Sequence, residues 1–343
     1  MKPFFWDTAN FGDNMNTWIW NELFPNLITE TDGVRLVGIG TLIKSDLEFV
    51  RGKKIICGSG AGYGPLPLSN VVSNWRFYFV RGPRTARALG LDDSFAVVDG
   101  AWLISVLPEF QSIPEKKGVI FIPHWTSAGV GVWRRVCDEA GISYVDPLLD
   151  SKDVIRQIAS SRLAIVEAMH GSIIADYFRT PWIPVKSSKA ILDFKWLDWC
   201  DSIDTPYEPV TIAPSDALEH LWQGRWPRIY SDTTQTMNPV PEPAALHYSV
   251  VSKPHSFYSS IQRTKPFLRR IRHDTALKVS TIRNIWPISR WNSRHIESLA
   301  NAFRRLSNSS GYLSADKLRQ TKIDQLEAII FKIREDFGDH GLV

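Results

Sequence analysis

Along the first two-thirds of the chain, short apolar runs alternate with longer stretches in which apolar side chains recur at helical spacing. Phe4–Trp6, Val34–Ile39, Lys54–Cys57, Phe77–Val80 and Phe95–Val98 read as strands, with a helix over Asp13–Phe24 after the first. Runs this short, bounded by Gly, Pro, Asn and Asp, fit buried strands. After Pro114 the rhythm restarts. Val119–Ile122, Ser143–Val145, Leu163–Val166 and Trp182–Val185 read as strands, and Val130–Ala140, Ser151–Ser160 and Gly171–Phe178 as helices. Strands interleaved with helices predict parallel sheets covered by helices on both faces. The expected fold class is therefore α/β. Two Rossmann-like domains span 1–112 and 113–233, parted at the polar linker Gln111–Lys117, and a basic helical extension occupies 234–343. In such sheets ligands gather at the carboxyl ends of the strands, here in a cleft between the halves.

A chain of 343 residues that is 44% hydrophobic can build two domains, and 12% aromatics against 22% charge exclude a disordered chain. No run approaches the ~18 apolar residues of a membrane span, and Asp7 interrupts the N-terminal apolar stretch before it could act as a secretion signal. These features predict a cytoplasmic protein. Cys57, Cys137 and Cys200 are far apart and in no Cys-x-x-Cys spacing, so they read as reduced core residues. No His-x-x-x-His pair accompanies them, and neither a metal nor a bound cofactor is expected.

The net charge of +4 hides an uneven distribution. Between Val251 and Ser310 twelve Lys and Arg face two acids, leaving the rest of the chain at −6. From Phe267 to Phe303 these cations interleave with bulky apolar residues, a composition that suits an anionic membrane surface. The alternative is a pair of C-terminal helices packed on the second domain with their arginines in water. No nucleic-acid module accompanies the basic stretch, and no nucleic-acid partner is expected.

Five segments at strand ends carry candidate chemistry. Asn10-Phe11-Gly12-Asp13 joins the first strand to the first helix and can present N–H groups to an anion or hydroxyl, or Asp13 can simply cap that helix. Gly58-Ser59-Gly60-Ala61-Gly62-Tyr63-Gly64 follows a strand but puts Tyr63 where a dinucleotide loop needs its third glycine, so it reads as a flexible cleft wall. Arg81-Gly82-Pro83-Arg84 brings a planar guanidinium to a helix start, the chemistry of a phosphate or carboxylate clamp; the alternative is a surface arginine with an acidic partner. His124 ends the first strand of the second half, and Glu167-Ala168-Met169-His170 ends another. Two histidines at one sheet edge suit acid–base work near neutral pH. Glu167 either orients His170 or closes a buried ion pair.

In this order the segments resemble the polysaccharide pyruvyltransferase family. The match runs from Asn10–Asp13 through Val80-Arg81-Gly82-Pro83-Arg84-Thr85, Asp99-Gly100-Ala101 and Pro123-His124 to Glu167-Ala168-Met169-His170-Gly171 and Phe194-Lys195-Trp196-Leu197-Asp198-Trp199. The His-Gly pair and the Trp-x-Asp-Trp segment resemble the succinoglycan-type exopolysaccharide branch. The resemblance implies a glycosyltransferase-B-like architecture. It also implies transfer of the enolpyruvyl unit of phosphoenolpyruvate to a sugar of a lipid-linked oligosaccharide, closed as a pyruvate ketal. On that reading His170 and His124 are catalytic; Arg81, Arg84, Gly171 and Ser172 bind the donor; Asn10, Gly12, Asp13 and Glu167 line the acceptor side. Some relatives carry an arginine where this chain has Ala168, so a further donor-binding cation comes from Arg84, Arg179 or Lys186. The competing enzyme reading is a nucleotide-sugar glycosyltransferase of the same architecture, although no clear Glu-x₇-Glu nucleotide clamp stands late in the second half. A reading outside enzymology is an inactive partner that docks an assembly complex through its basic tail.

Overall fold

The computed structural model describes residues 1–220, apart from 7, 9, 30–32, 189–190 and 217, together with residues 286–338. The proline-rich residues Pro239–Pro243, expected from the sequence to form a turn-rich connector, and most of the basic stretch, including Phe267, Leu268, Ile271, Leu277, Ile282 and Ile285, lie outside the described residues, as do the side chains of Trp286, Ile288 and Trp291.

Two parallel sheets form. In the first, β1 (Lys2–Phe4), β2 (Val34–Val37), β3 (Lys53–Cys57) and β4 (Arg76–Phe79) pair in sequence order. The second is built from β5 (Lys117–Ile122), β6 (Ser143–Tyr144), β7 (Ser161–Val166), β8 (Trp182–Lys186) and β9 (Val210–Thr211), in the order β6-β5-β7-β8-β9. Among the described residues the helices of the first half are α1 (Phe11–Asn14), α2 (Ile19–Leu23), α3 (Ser69–Val72) and α4 (Pro83–Ala88). The second half carries α5 (Trp125–Val130), α6 (Trp133–Ala140), α7 (Ser151–Ala159), α8 (Met169–Tyr177) and α9 (Asp193–Ser202). Two long helices follow, α10 (Trp286–Ser307) and α11 (Asp316–Gly338).

Both faces of each sheet are buried, which is why the strands read as near-continuous apolar runs. Period 2 still sorts their side chains. Ile120 and Ile122 of β5 and Ala164 and Val166 of β7 face a core shared with Phe11, Trp20, Leu36 and Trp102 of the first half. Val119, Phe121, Leu163 and Ile165 face the other way, onto α6 and α10. The halves therefore meet through one continuous apolar core, reinforced where the Trp102 indole N–H donates to the Ile173 carbonyl at 2.9 Å.

The last two helices bind the halves further. On α10, Ile296, Leu299, Ala300 and Phe303 are buried, and the Phe303 ring lies 4.7 Å from that of Phe121. Phe303, expected on a membrane-facing surface, is a core residue of the second half. Ile323, Leu326, Ile330 and Ile333 of α11 enter the shared core, and Asp336 takes hydrogen bonds from Arg76 and Tyr78 of the first half.

Several expected elements differ. The helix expected over Asp13–Phe24 is split by a 3-10 turn at Met15–Thr17, because the buried Asn16 amide is held by the Ile39 backbone and the Trp20 indole. Phe95–Val98 is not a strand: Asp93–Phe95 forms a 3-10 turn capped by Asp92, and of the rest Ala96 makes an isolated bridge to Val80. The helix expected from Val130 begins at Trp133 after a separate α5. Around this break the Gly131 N–H bonds to the Ser127 carbonyl and the Val132 N–H to Ser215 Oγ. Helix α8 starts at Met169, two residues earlier than expected, so His170 stands within its first turn.

Candidate functional site

Segments that follow the carboxyl ends of strands in both sheets meet: Gly12 packs on His170, and Arg81 bonds Asp198. The first half brings the loop after β1, the Gly58–Gly64 loop after β3, and Arg81 and Asp99 beyond β4. The second half brings His124 after β5, Glu167 and His170 after β7, and helix α9 after β8.

His170 is at the centre. Its ring packs edge-on against Phe11, with centroids 6.4 Å apart. It lies so close to α1 that a Cβ on Gly12 would fall 1.9 Å from Nδ1. Only glycine fits there, which explains that residue in the Asn10–Asp13 loop. The other ring nitrogen, Nε2, lies 3.8 Å from Asp99 Oδ1 and has no hydrogen-bond partner among the described residues. Burial, helped by the charges of Lys195 and Arg81, pushes the His170 pKa down to about 3, so the ring is neutral at pH 7.

Asp99 is fully buried at the start of the 3-10 helix Gly100–Val106. Its Oδ1 accepts the Ala101 N–H at 2.9 Å, and its Oδ2 has no partner among the described residues. Burial raises its pKa to about 6, against the opposing pull of Arg81 and the Ala101 N–H.

Glu167 does not orient His170. Its Oε2 accepts the His124 N–H at 2.9 Å and its Oε1 accepts the Ser187 N–H at 2.8 Å, so one carboxylate ties together the ends of β5, β7 and β8. Burial raises its pKa, and those hydrogen bonds oppose the rise. His124 is held in turn by a 2.7 Å contact between Nδ1 and Thr126 Oγ1, and burial with the Lys195 charge lowers its pKa to about 3. Asp13 lies inside α1 rather than capping it. It accepts the Thr8 hydroxyl at 2.7 Å, and burial raises its pKa. Asn10 is the residue before the helix and makes no side-chain cap.

The anion clamp expected at Arg81 is already filled by the protein. Arg81 is fully buried, and its Nε donates to Asp198 Oδ2 at 2.9 Å, Nη1 to Thr41 Oγ1 at 3.0 Å and Nη2 to the Ala61 carbonyl at 2.7 Å. Asp198 also accepts the Thr85 N–H at 2.8 Å, so a carboxylate from α9 occupies the start of α4. The Gly-rich loop serves this network. A Cβ on Gly60 would sit 2.1 Å from Arg81 Cζ, and Ala61 N–H is fixed by Thr85 Oγ1 at 3.0 Å. Its first part, 58–61, is a packed turn, while the partly exposed Tyr63 beyond it meets Lys195.

The other proposed cations are paired as well: Arg84 with Asp201 at 2.7 Å, Arg179 with Asp316 at 2.9 Å and Lys186 with Asp193 at 2.6 Å. Gly171 packs beneath the strands, where an added Cβ would meet Ile122 and Val166 at 3.1 and 3.2 Å. Ser172 is fully buried, and its Oγ has no partner among the described residues.

Lys195 is different. It is 9% exposed, and its Nζ donates to the Tyr63 hydroxyl at 3.2 Å. Among the described residues no carboxylate forms an ion pair with it, yet its charge bears on Asp13, His124 and His170 together. A buried ammonium facing two neutral imidazoles favours an incoming anion. Lys195, Asp198 and Asp99 all lie within the family-like segments, but sequence reasoning assigns them no role. The legible signals are a lone lysine in an aromatic-rich helix and an aspartate directly after an apolar run.

Residues 37–189 match the family model described as "Polysaccharide pyruvyl transferase". The chain is also 38% identical over 244 residues, 71% of its length and 77% of the relative's, to the succinoglycan biosynthesis protein ExoV of Rhizobium meliloti (strain 1021). No solved structure matches significantly.

Proposed function

The chain belongs to the polysaccharide pyruvyl transferase family, and on that premise we propose that it moves the enolpyruvyl unit of phosphoenolpyruvate onto a sugar of an exopolysaccharide precursor and closes it as a cyclic ketal. The observation that carries this reading is Lys195, a buried cation that forms no ion pair with a carboxylate among the described residues, beside Asp13, His170 and His124. Phosphoenolpyruvate brings both a phosphate and a carboxylate to such a place. We assign Lys195, rather than Arg81 or Arg84, to the donor anion.

The chemistry balances on these residues. A sugar hydroxyl attacks the enol carbon; its O–H breaks and a C–O bond forms. The neutral His170 ring takes that proton and passes it to the methylene carbon, which becomes a methyl. The C–O bond to phosphate then breaks with both electrons leaving on phosphate, and the second hydroxyl closes the ketal, its proton departing with the phosphate. A positioned acid–base group contributes ~10²–10⁴-fold to such transfers, and Lys195 stabilises the departing charge. We read the two parallel sheets, with α11 returning to the first half, as glycosyltransferase-B-like. We read the acceptor as lipid-linked and met at the membrane through the basic stretch.

Thermal denaturation tests the donor. A ligand at 100-fold its Kd adds ~2.7 kcal/mol of stability, so millimolar phosphoenolpyruvate raises Tm. A rise with nucleotide sugars and none with phosphoenolpyruvate overturns the reading in favour of a glycosyltransferase.

A further inference from the structure

His170 has two inequivalent ring nitrogens, and the fold gives each a different neighbour. Nε2 points into the protein, 3.8 Å from Asp99 Oδ1, and Nδ1 stands on the side of Gly12, where the missing side chain keeps the approach short. A neutral imidazole carries one proton, and the hydrogen bond at one nitrogen decides which of the two is the base. Asp99 is the carboxylate set beside Nε2. Its Oδ2 is buried, accepts nothing among the described residues and needs a donor. The backbone N–H of Ala101 fixes its Oδ1, so the carboxyl group is held at the Gly100–Val106 helix start rather than free to swing away.

We infer that Asp99 is the positioning residue of His170: its carboxylate receives the Nε2–H, holds the ring in that tautomer, and leaves Nδ1 as the nitrogen that takes the proton of the attacking sugar hydroxyl. The present separation exceeds a hydrogen bond, as is common before substrate binds, and a small side-chain rotation closes it. When Nδ1 gains the hydroxyl proton, the ring becomes an imidazolium with Nε2–H against an ionised carboxylate, and no other proton moves. Burial keeps Asp99 close to its titration point, about 6, so it is mostly ionised at pH 7. The other charges facing it are Arg81, Asp198 and Asp13.

This inference rests on His170 as the acid–base group of the proposed reaction, but its test needs no substrate. The chain has eight histidines, and labelling them with nitrogen-15 lets the His170 resonances be assigned as those lost in His170→Gln. The expected wild-type spectrum at pH 7 shows Nε2 protonated and Nδ1 bare. Between pH 7 and 5 both shifts should step as Asp99 takes up a proton, without the ring itself becoming charged. In Asp99→Asn the amide oxygen keeps the Ala101 N–H and the N–H₂ takes the place of Oδ2, so no carboxylate is left to receive the Nε2–H; the tautomer should shift to Nδ1–H, with turnover falling ~10²-fold or more. A wild-type His170 protonated at Nδ1, or a tautomer unchanged in Asp99→Asn, overturns the inference. The wild-type spectrum decides this even if the variant folds poorly. Failure of phosphoenolpyruvate to bind would count against the proposed reaction and leave the tautomer assignment intact.

Discussion

Asp198, on helix α9 of the second half, meets the guanidinium of Arg81 of the first half at 2.9 Å, with both side chains fully buried. The same carboxylate takes the Thr85 N–H and hydroxyl at 2.8 and 2.6 Å, so the start of α4 already holds an anion supplied by the protein. The pair joins the two halves, and its chemistry is positional.

Removing one member of a buried pair leaves an unpaired charge, at a cost of ~3–5 kcal/mol. Asp198→Ala should therefore lose about that much stability in denaturant titrations. Arg81→Lys keeps the charge but cannot hold Asp198, Thr41 and Ala61 together, and should lower Tm while its folded fraction binds phosphoenolpyruvate as the wild type does. A stable Arg81→Lys protein with weakened donor binding would return Arg81 to the donor site.

Gly12→Ala places a methyl group 1.9 Å from the resting position of His170 Nδ1. Alanine is the better helix former by ~1 kcal/mol, so helix propensity does not oppose the change. The ring must move instead. Turnover should fall ~10²-fold, the scale of a lost acid–base group, with far-ultraviolet circular dichroism unchanged. Near-normal turnover would show that the position of His170 is immaterial.

Lys195→Met keeps the length of the side chain and removes its charge. Hydrogen bonds to charged groups contribute ~1.5–3 kcal/mol, so donor affinity should fall ~10- to 100-fold in calorimetric titration. Lys195 also helps hold the His170 and His124 pKa values down, so both rings should titrate at higher pH in the variant. Unchanged donor affinity would remove Lys195 from the site.

What is legible in the sequence follows from the physics of each signal. The paired sheets are readable because strands buried on both faces appear as apolar runs, as in β5 and β7. The segments that carry His170 and Gly12 stand out because each leads from a strand into a helix. The role of Arg81 is not, because its partner Asp198 is 117 residues away, and only the folded chain shows that an arginine at a helix start has its anion already. Lys195 is hidden for the converse reason. A lysine beside Phe194 and Trp196 looks like any helical surface lysine until burial removes its water. The split of the first helix depends on Asn16 reaching Ile39, a contact with no local signature.

The basic stretch makes a separate prediction. Arg269, Arg270 and Arg272 lie in it, and each cation near an anionic surface contributes ~1 kcal/mol. The full chain should co-sediment with phosphatidylserine vesicles at low salt and be released at high salt. Replacing these three arginines by glutamate should abolish sedimentation while leaving donor binding unchanged. Equal sedimentation of both proteins would confine the stretch to a structural role.

Pyruvyl transfer itself is most directly tested by turnover. The protein is incubated with phosphoenolpyruvate and a lipid-linked exopolysaccharide oligosaccharide, and inorganic phosphate is measured alongside the proton spectrum of the glycan. The expected result is phosphate release that requires both substrates, appears with a new ketal methyl resonance, and is lost in His170→Gln. Phosphate-free reactions with phosphoenolpyruvate, together with nucleoside diphosphate release when a nucleotide sugar is supplied instead, would contradict it.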